Sequence, residues 1–257
     1  LSSPKGRYEA ATLLLEGTNL LKEVLKTTSM PSEIVLTLNW SRKNSEILSK
    51  LPNNVQFHLV TESVLEASLT TVNPDGVASL LSFDALPKSN KTPDFILALD
   101  RLQDPGNLGS LFRTSLAAEI DEIWLGLGAD PLSQKVLRSS SGAVLHIPFK
   151  RISNSEERAI GEFVEMLKKS SQRGLQVVGT YGPNACIESS VYPYWEIDWE
   201  KPTVLVLGNE GSGLHPKVQS CCTHAVTLPH NGIVESLNVA SAAVPLLLER
   251  FRAKMIS

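Results

Sequence analysis

Three short polar stretches, each following a hydrophobic run, hold the residue types from which chemistry could be built. In LDRLQDPGNLGSLFRTS (99–115), Asp104-Pro105-Gly106-Asn107 spells a turn in which glycine supplies the unusual dihedral. Asn107 is placed to cap the helix that follows, leaving free N–H groups at its start, and Arg113 falls within that helix. In LVLGNEGSGLHP (205–216), Gly208, Gly211 and Gly213 let the backbone approach a ligand closely. This stretch lacks the Gly-Lys-Ser/Thr of a phosphate loop, and its G-x-x-G-x-G spacing is not the G-x-G-x-x-G of dinucleotide binders. The embedded Glu210 suits a neighbouring cation better than a phosphate. In PHNGIVESLNVASAAVPLLLE (229–249), Glu235-Ser236-Leu237-Asn238 stands at the mouth of the most apolar helix. Each stretch has a plain reading: Arg113 as a surface residue, the glycines as a tight turn, Ser236 and Asn238 as helix caps. The other reading is a ligand lying against all three.

The elements around these stretches decide where they meet. From residue 95 onward, FILALD (95–100), EIWLGL (122–127), LQVVGTY (175–181), TVLVLG (203–208) and HAVTLP (224–229) read as strands. Helical patterns fill 109–118, 133–144, 156–171 and the stretch after Asn238. This alternation predicts an α/β fold, a mostly parallel sheet with helices on both faces, whose ligands sit beyond the carboxyl ends of the strands. Residues 1–88 have another texture. IVLTLNW (34–40) and VQFHLV (55–60) read as strands and TESVLEASL (61–69) as a helix capped by Thr61, while 8–26 carries apolar residues broken by Gly17. LPKSNKTPD (86–94) has the composition of a linker. The expected organisation is a small α/β domain over 1–88, a linker over 89–94 and a larger domain over 95–257.

Bulk properties bound the function classes. The chain of 257 residues carries a net charge of −3, which argues mildly against a nucleic-acid binder, although a local basic face can sit on a near-neutral protein. No apolar run is long enough for a membrane span. Cys186, Cys221 and Cys222 are too few for a disulfide framework and point to a reducing compartment. Cys221, Cys222 and His224 make only part of the set of about four ligands that a closed metal site wants, so no metal is expected. A chain opening on Leu1 is expected of a fragment or a processed form.

In order, DPGNLGSLFRTSLA, VLVLGNEGSGL and LPHNGIVESLNVASAA closely resemble the three motifs of the SpoU (TrmH) class of RNA 2′-O-ribose methyltransferases, over roughly residues 95–252. GADPLSQKVLRSSSGAVLHIPF (128–149) is similar to the segment between motifs. EGTNLLKEVL (16–25) and TTVNPDGVASL (70–80) resemble the ribosomal-protein-like substrate-binding domain that many members carry. The resemblance implies the SPOUT fold, with the C-terminal segment threaded into a trefoil knot that holds S-adenosylmethionine. By this likeness Gly208, Leu228 and Leu237 line the adenosine pocket, with Leu207, Asn209, Gly211, Pro229, Ile233 and Ser236 nearby. A Cβ at Gly208 or Gly211 is expected to push the cofactor away.

Arg113 is implied as the residue that activates the ribose hydroxyl, with Asn107, Glu210, Ser236 and Asn238 completing the catalytic set. Arginine stays protonated in proteins, so positioning a phosphate or stabilising a developing alkoxide is open to Arg113 alongside the role of base. The resemblance further implies a homodimer through the knots and an RNA substrate: large-subunit ribosomal RNA first, at a guanosine, and transfer RNA second. Arg101, Arg113, Lys135, Arg138, Lys150 and Arg151 are the basic residues expected near RNA, each equally well explained singly as solvated surface. Two departures stand out. His230 occupies a position where the family often has Met; it could add a pH-sensitive contact close to the cofactor, and the plainer reading is a packing substitution. The insert 182–202 carries Tyr192, Tyr194, Trp195 and Trp199, which could stack on bases, but its Glu196, Asp198 and Glu200 favour packing or a dimer contact. The compartment is expected to be an organellar matrix, mitochondrial or chloroplast, or the cytoplasm. Two other classes stay open: a nucleotide-dependent oxidoreductase, and a non-catalytic RNA-binding ribosome-assembly protein on the same fold.

Overall fold

The computed structural model describes residues 1, 3–152, 155–182, 190–234 and 236–256. Two compact units form, residues 1–87 with 130–146 and residues 88–129 with 147–257.

The first unit is built on a four-stranded mixed sheet in the order β1 (Thr12–Glu16), β4 (Val77–Ser82), β2 (Glu33–Thr37), β3 (Gln56–Val60). β4 is antiparallel to both its neighbours and β2 runs parallel to β3. The helices of this unit are α1 (Pro4–Ala10), α2 (Thr18–Val24), α3 (Leu38–Lys43), α4 (Ser45–Leu48), α5 (Glu62–Ser68) and α7 (Gln134–Ser139). Leu21, Ile34, Leu36, Trp40 and Val77 close one core. The strand expected over 34–40 stops at Thr37, because its hydroxyl accepts from the Trp40 N–H at 3.2 Å and starts α3 there. Thr61 caps α5 as expected, accepting from the Val64 N–H at 3.4 Å.

The segment 130–146, read from the sequence as part of the second domain, packs in the first unit. Specific polar contacts hold it there. Asp130 pairs with Arg7 at 2.5 Å, the Gln134 amide donates to the Leu14 carbonyl at 2.7 Å, and His146 meets Glu23 at 3.0 Å. The expected linker is also anchored: Lys91 pairs with Asp121 at 2.5 Å, and the same carboxylate accepts from the N–H groups of Asp94 and Phe95 at 3.0 and 2.9 Å.

The second unit is a seven-stranded sheet in the order β7 (Phe149–Arg151), β6 (Glu122–Leu125), β5 (Phe95–Leu99), β10 (Thr203–Leu207), β8 (Gln176–Tyr181), β11 (His224–Thr227), β9 (Val191–Pro193). Every pairing is parallel. All residues of β5, β6 and β10 are buried, so the centre of this sheet is covered on both faces. Its helices are α6 (Pro105–Ala117), α8 (Glu156–Gln172), α9 (Pro216–Gln219) and α10 (Val239–Ile256). Phe163 and Leu167 of α8 pack against Ile96, Val177 and Val204. Arg250 of α10, fully buried, donates to the carbonyls of Trp199 and Glu200 and lies over the Phe95 ring. Trp199 is buried, as the packing reading of the insert requires, whereas Tyr192 and Trp195 are exposed. Cys186 and residues 183–189 of the insert lie outside the described residues.

Register brings the strand ends level. Leu99 pairs with Leu207 and with Leu125, and Thr227 pairs with Tyr181, so the segments following β5, β10, β8 and β11 leave one edge of the sheet.

One buried carboxylate organises the first unit. Glu16 accepts from the N–H and hydroxyl of Thr70, both at 2.9 Å, and from the N–H and hydroxyl of Thr71 at 2.9 and 2.5 Å. Burial alone would raise this carboxyl, but these hydrogen bonds outweigh it and hold it below the usual carboxylate value. A carboxyl depressed in the folded state lends stability that is present above its unfolded pKa and lost as pH falls through the folded one. Thr71→Val should therefore destabilise by about 1.5–3 kcal/mol near neutrality. Urea denaturation across pH checks this, and the difference from wild type should shrink below about pH 4.

Candidate active site

The site begins with the end of β5. Asp100 is buried and accepts from the His215 N–H at 2.6 Å. Arg101 follows with φ +57 and donates to the Asp100 carboxylate at 3.0 and 3.3 Å and to the Gly213 carbonyl at 3.3 Å. Arg101 thus ties the first loop to the second, rather than standing free for RNA. Two further expected RNA contacts also neutralise buried carboxylates: Lys150 pairs with Glu122 at 2.7 Å and Arg138 with Glu16 at 3.5 Å. Lys135 and Arg151 are exposed.

The second loop closes on itself. The Asn209 amide donates to the Arg101 carbonyl at 2.9 Å, and its oxygen accepts from the N–H groups of Gly211 and Ser212, both at 3.0 Å. A Cβ on Gly208 would lie 2.4 Å from the Gly213 carbonyl carbon and 2.5 Å from the Leu214 nitrogen. The reason for glycine here is therefore closure of the loop, not room for a ligand. At Gly211 an added Cβ would meet only the Asn209 side chain at 3.7 Å, so its neighbours do not require glycine.

The helix of the first loop starts earlier than 109. Pro105 occupies its first turn and Asp104, not Asn107, is the cap, accepting from the Asn107 N–H at 2.7 Å. The Asn107 side chain is released for another task. Its amide nitrogen donates to Glu210 at 3.2 Å and its oxygen accepts from the Asn238 amide at 2.9 Å. Glu210 also accepts from the N–H groups of Gln103 and Asp104, each at 3.3 Å. The Asn238 oxygen accepts from the N–H groups of Ala240 and Ser241 at 3.0 and 3.2 Å, which caps α10. The capping reading of Asn238 is correct, and its other end joins the third loop to the first.

A cavity of about 360 Å³ opens beside this chain of side chains. Leu207, Gly208, Asn209, Glu210, Gly211 and Gly213 of the second loop line it. Leu228, His230, Ser236 and Leu237 line it from the third. Pro229 and Ile233, expected there, do not, and Ile233 is 85 % exposed. His230 accepts from the Gly232 N–H at 3.2 Å, a local turn contact at the cavity wall. Glu235 lies outside the described residues. The sequence reading missed Thr180 and Tyr181 at the end of β8, Gly182 just after it, and Val239, Ala242 and Leu246 on α10, which complete the described wall. The only available signal was Gly182 directly after the β8 run. Burial first, and the neighbouring Cys222 second, push the Tyr181 phenol above its ordinary value, while burial pushes the Cys222 thiol up to about 12. Both stay protonated at neutral pH.

Arg113 stands apart from this constellation. It is exposed on α6, its side chain makes no hydrogen bond or ion pair among the described residues, and it does not line the cavity. Six residues from Asn107, it points roughly 120° away around the helix. Ser236 lines the cavity but takes no part in the Glu210–Asn107–Asn238 chain. No group of three or more His, Cys, Asp and Glu side chains among the described residues is arranged to hold a metal ion.

The cavity lining suits a particular ligand chemistry. Apolar Leu207, Leu228, Leu237 and Leu246 face backbone-rich loops, Glu210 supplies negative charge, and no lysine or arginine lines the cavity among the described residues. A polyphosphate finds no counter-charge there. A nucleoside carrying a cationic group fits, and its size suits the cavity.

A parallel sheet bearing such a cleft at its carboxyl edge defines an α/β protein with a pocket suited to a nucleoside without phosphates. The chain belongs to the SpoU rRNA methylase family, whose model matches residues 94–247. An uncharacterised tRNA/rRNA methyltransferase of Synechocystis is 37% identical over 255 residues, 98% of this chain and 88% of that protein. The 23S rRNA (guanosine(2553)-2′-O)-methyltransferase RlmP of Bacillus subtilis is 33% identical over 249 residues, 96% of this chain and 91% of that protein. The structure of an AdoMet-bound rRNA methyltransferase from Sinorhizobium meliloti matches with a TM-score of 0.77 at 27% identity, covering 98% of this chain and 91% of that one. Family membership sets the oxidoreductase reading aside.

The two glycines separate loop closure from ligand contact. Gly208→Ala should destabilise the protein by about 1–3 kcal/mol through overpacking, and Gly211→Ala by less than about 0.5 kcal/mol. Equilibrium denaturation of the two variants side by side checks the difference.

Proposed function

We propose that this chain transfers a methyl group from S-adenosylmethionine to a ribose 2′-hydroxyl of ribosomal RNA, at a guanosine of the large-subunit RNA. As a SpoU-family member it is an RNA 2′-O-methyltransferase with S-adenosylmethionine as cofactor. The observation that carries the reading is the partly apolar cavity, without lysine or arginine among its described lining, formed by the second and third motif loops and held by the Glu210–Asn107–Asn238 chain. The choice of guanosine in large-subunit RNA is supported by the activity named for the B. subtilis relative.

When bound, the cofactor supplies a sulfonium methyl group. Leu207, Leu228 and Leu237 offer apolar surface to its adenosine, and Glu210 offers a carboxylate to its positive charge. Asn107 and Asn238 hold the three loops in register, so the geometry for in-line transfer is set before RNA arrives. An arginine side chain keeps its charge across the working pH range. Arg113, exposed and with its donors available, accordingly acts on the RNA side: it holds a phosphate or steadies the negative charge that develops on the 2′-oxygen.

We assign a trefoil knot to the segment running from β10 through α10, and a homodimer formed by the knots of two chains. Exposed apolar Leu116 on α6 and Val244 and Leu248 on α10, two helices that pack together, support that interface. The first unit is the RNA-binding part.

Calorimetric titration of the purified protein tests the cofactor site. Saturable binding of S-adenosylmethionine and S-adenosylhomocysteine, with none of NAD, is the expected result; a folded protein that ignores both methyl-cycle ligands sinks the reading. Arg113→Ala should lower methyl transfer to unmodified ribosomal RNA by about 10²–10³-fold while leaving cofactor affinity unchanged. Transfer to transfer RNA alone would move the substrate class.

A further inference from the structure

The first unit holds a cavity of its own, of about 550 Å³, outside the methyl-donor site. Its walls come from three places in the chain: the β1–α2 turn with α2, the loop between α5 and β4, and the segment 130–146. Three carboxylates line it, and all three are engaged. Glu16 is satisfied by Thr70, Thr71 and Arg138. Glu23 pairs with Lys26 at 2.6 Å and His146 at 3.0 Å, and Asp75 accepts from the Thr18 N–H at 2.9 Å. These contacts fix the cavity's shape before any ligand enters.

The groups left over define what it can hold. Asn19, Lys22 and Asn73 line the cavity, and their side chains make no hydrogen bond or ion pair among the described residues. Arg138 is 44 % exposed and uses only its Nη1 in its contacts with Glu16, Thr70 and Thr71. Leu69 and Pro74 add apolar surface. An amide side chain both donates and accepts, which matches the edge of a nucleobase. A lysine and the outer face of a guanidinium serve one phosphate, too little for a free nucleoside polyphosphate but enough for one link of an RNA chain whose neighbours add contacts elsewhere. A base paired in a helix cannot enter, because its edge is occupied and its faces are stacked.

We propose that this cavity takes one unpaired nucleotide of the RNA substrate, with Asn19 and Asn73 on the base edge and Lys22 and Arg138 on the adjoining phosphate. The assignment rests on the reading of the chain as an enzyme acting on RNA. It gives the excursion 130–146 a task in substrate binding: Arg138 braces the loop carrying Asn73 and completes the cavity wall.

The test uses the full chain and five RNA hairpins: one fully paired, and four that each add a single bulged A, C, G or U. Wild type should bind at least one bulged hairpin about tenfold more tightly than the paired one. Asn19→Ala/Asn73→Ala should erase that preference with S-adenosylmethionine binding unchanged, and Lys22→Ala should lower the slope of log affinity against log salt by about one. All three side chains are exposed, so thermal melts matching wild type accompany these results. Equal binding of paired and bulged hairpins by wild type, or a preference that survives in the double variant, overturns the proposal. Methyl transfer to ribosomal RNA, measured on the same samples, separates the two levels. Transfer that persists without a bulge preference removes only the nucleotide pocket, whereas no transfer to any RNA removes the enzymatic reading and the pocket with it.

Discussion

The site depends on one amide. Asn107 gives a hydrogen to Glu210 on the second loop and takes one from Asn238 on the third, from a position in the first turn of α6. Only a side chain with a donor and an acceptor at its end can do both. An aspartate there would offer Glu210 no hydrogen and set two carboxylates against each other. The geometry that allows the bridge is prepared upstream: Leu99 and Leu207 lie opposite in register, so the first and second loops leave the sheet at the same height, and Asp104 takes over the capping that would otherwise occupy Asn107.

Charge is divided between places in a way that fits a sulfonium donor and a polyanionic acceptor. The cavity proposed for the donor is lined by Glu210 and, among the described residues, by no lysine or arginine. Arg101, one of the cations expected near RNA, is turned into a strut between the Asp100 carboxylate and the Gly213 carbonyl. Arg113 is kept on the exposed side of α6. A net charge of −3 is no obstacle to an RNA enzyme when its cations are placed singly and its carboxylates are consumed as structural acceptors, as Glu16, Glu122 and Asp121 are.

Much of the second unit was legible because its central strands are buried on both faces and read as unbroken apolar runs. Short edge strands such as β7 and β9 carry no such signature. The packing of 130–146 with the first unit was not legible because a helical pattern reports which face is apolar, not which core it serves; contacts such as Glu23 with His146, 123 residues apart in the chain, decide it. At the site, residue types alone left Asn107 and Asn238 as caps and the glycines as a turn. Resemblance grouped them, and the structure altered two of the reasons: Asn107 bridges instead of capping, and Gly208 is needed by its own loop. Arg113 was grouped with them by resemblance, and no side chain among the described residues draws it in.

Both units use a glutamate as the acceptor that holds loops together, and the difference between the two marks the difference in task. Glu16, the last residue of β1, is buried and receives five hydrogen bonds at 2.5–3.1 Å from the N–H and hydroxyl groups of Thr70 and Thr71. Glu210, just past β10, is exposed and receives its three at 3.2–3.3 Å. Short contacts to a buried carboxylate are the stronger set, since water cannot replace them when they break. Long contacts in reach of solvent can be exchanged for water or for a ligand at little cost. A loop that forms a permanent wall is served by the first arrangement. A loop that must admit a cofactor, enclose it and release a product of nearly the same shape is served by the second.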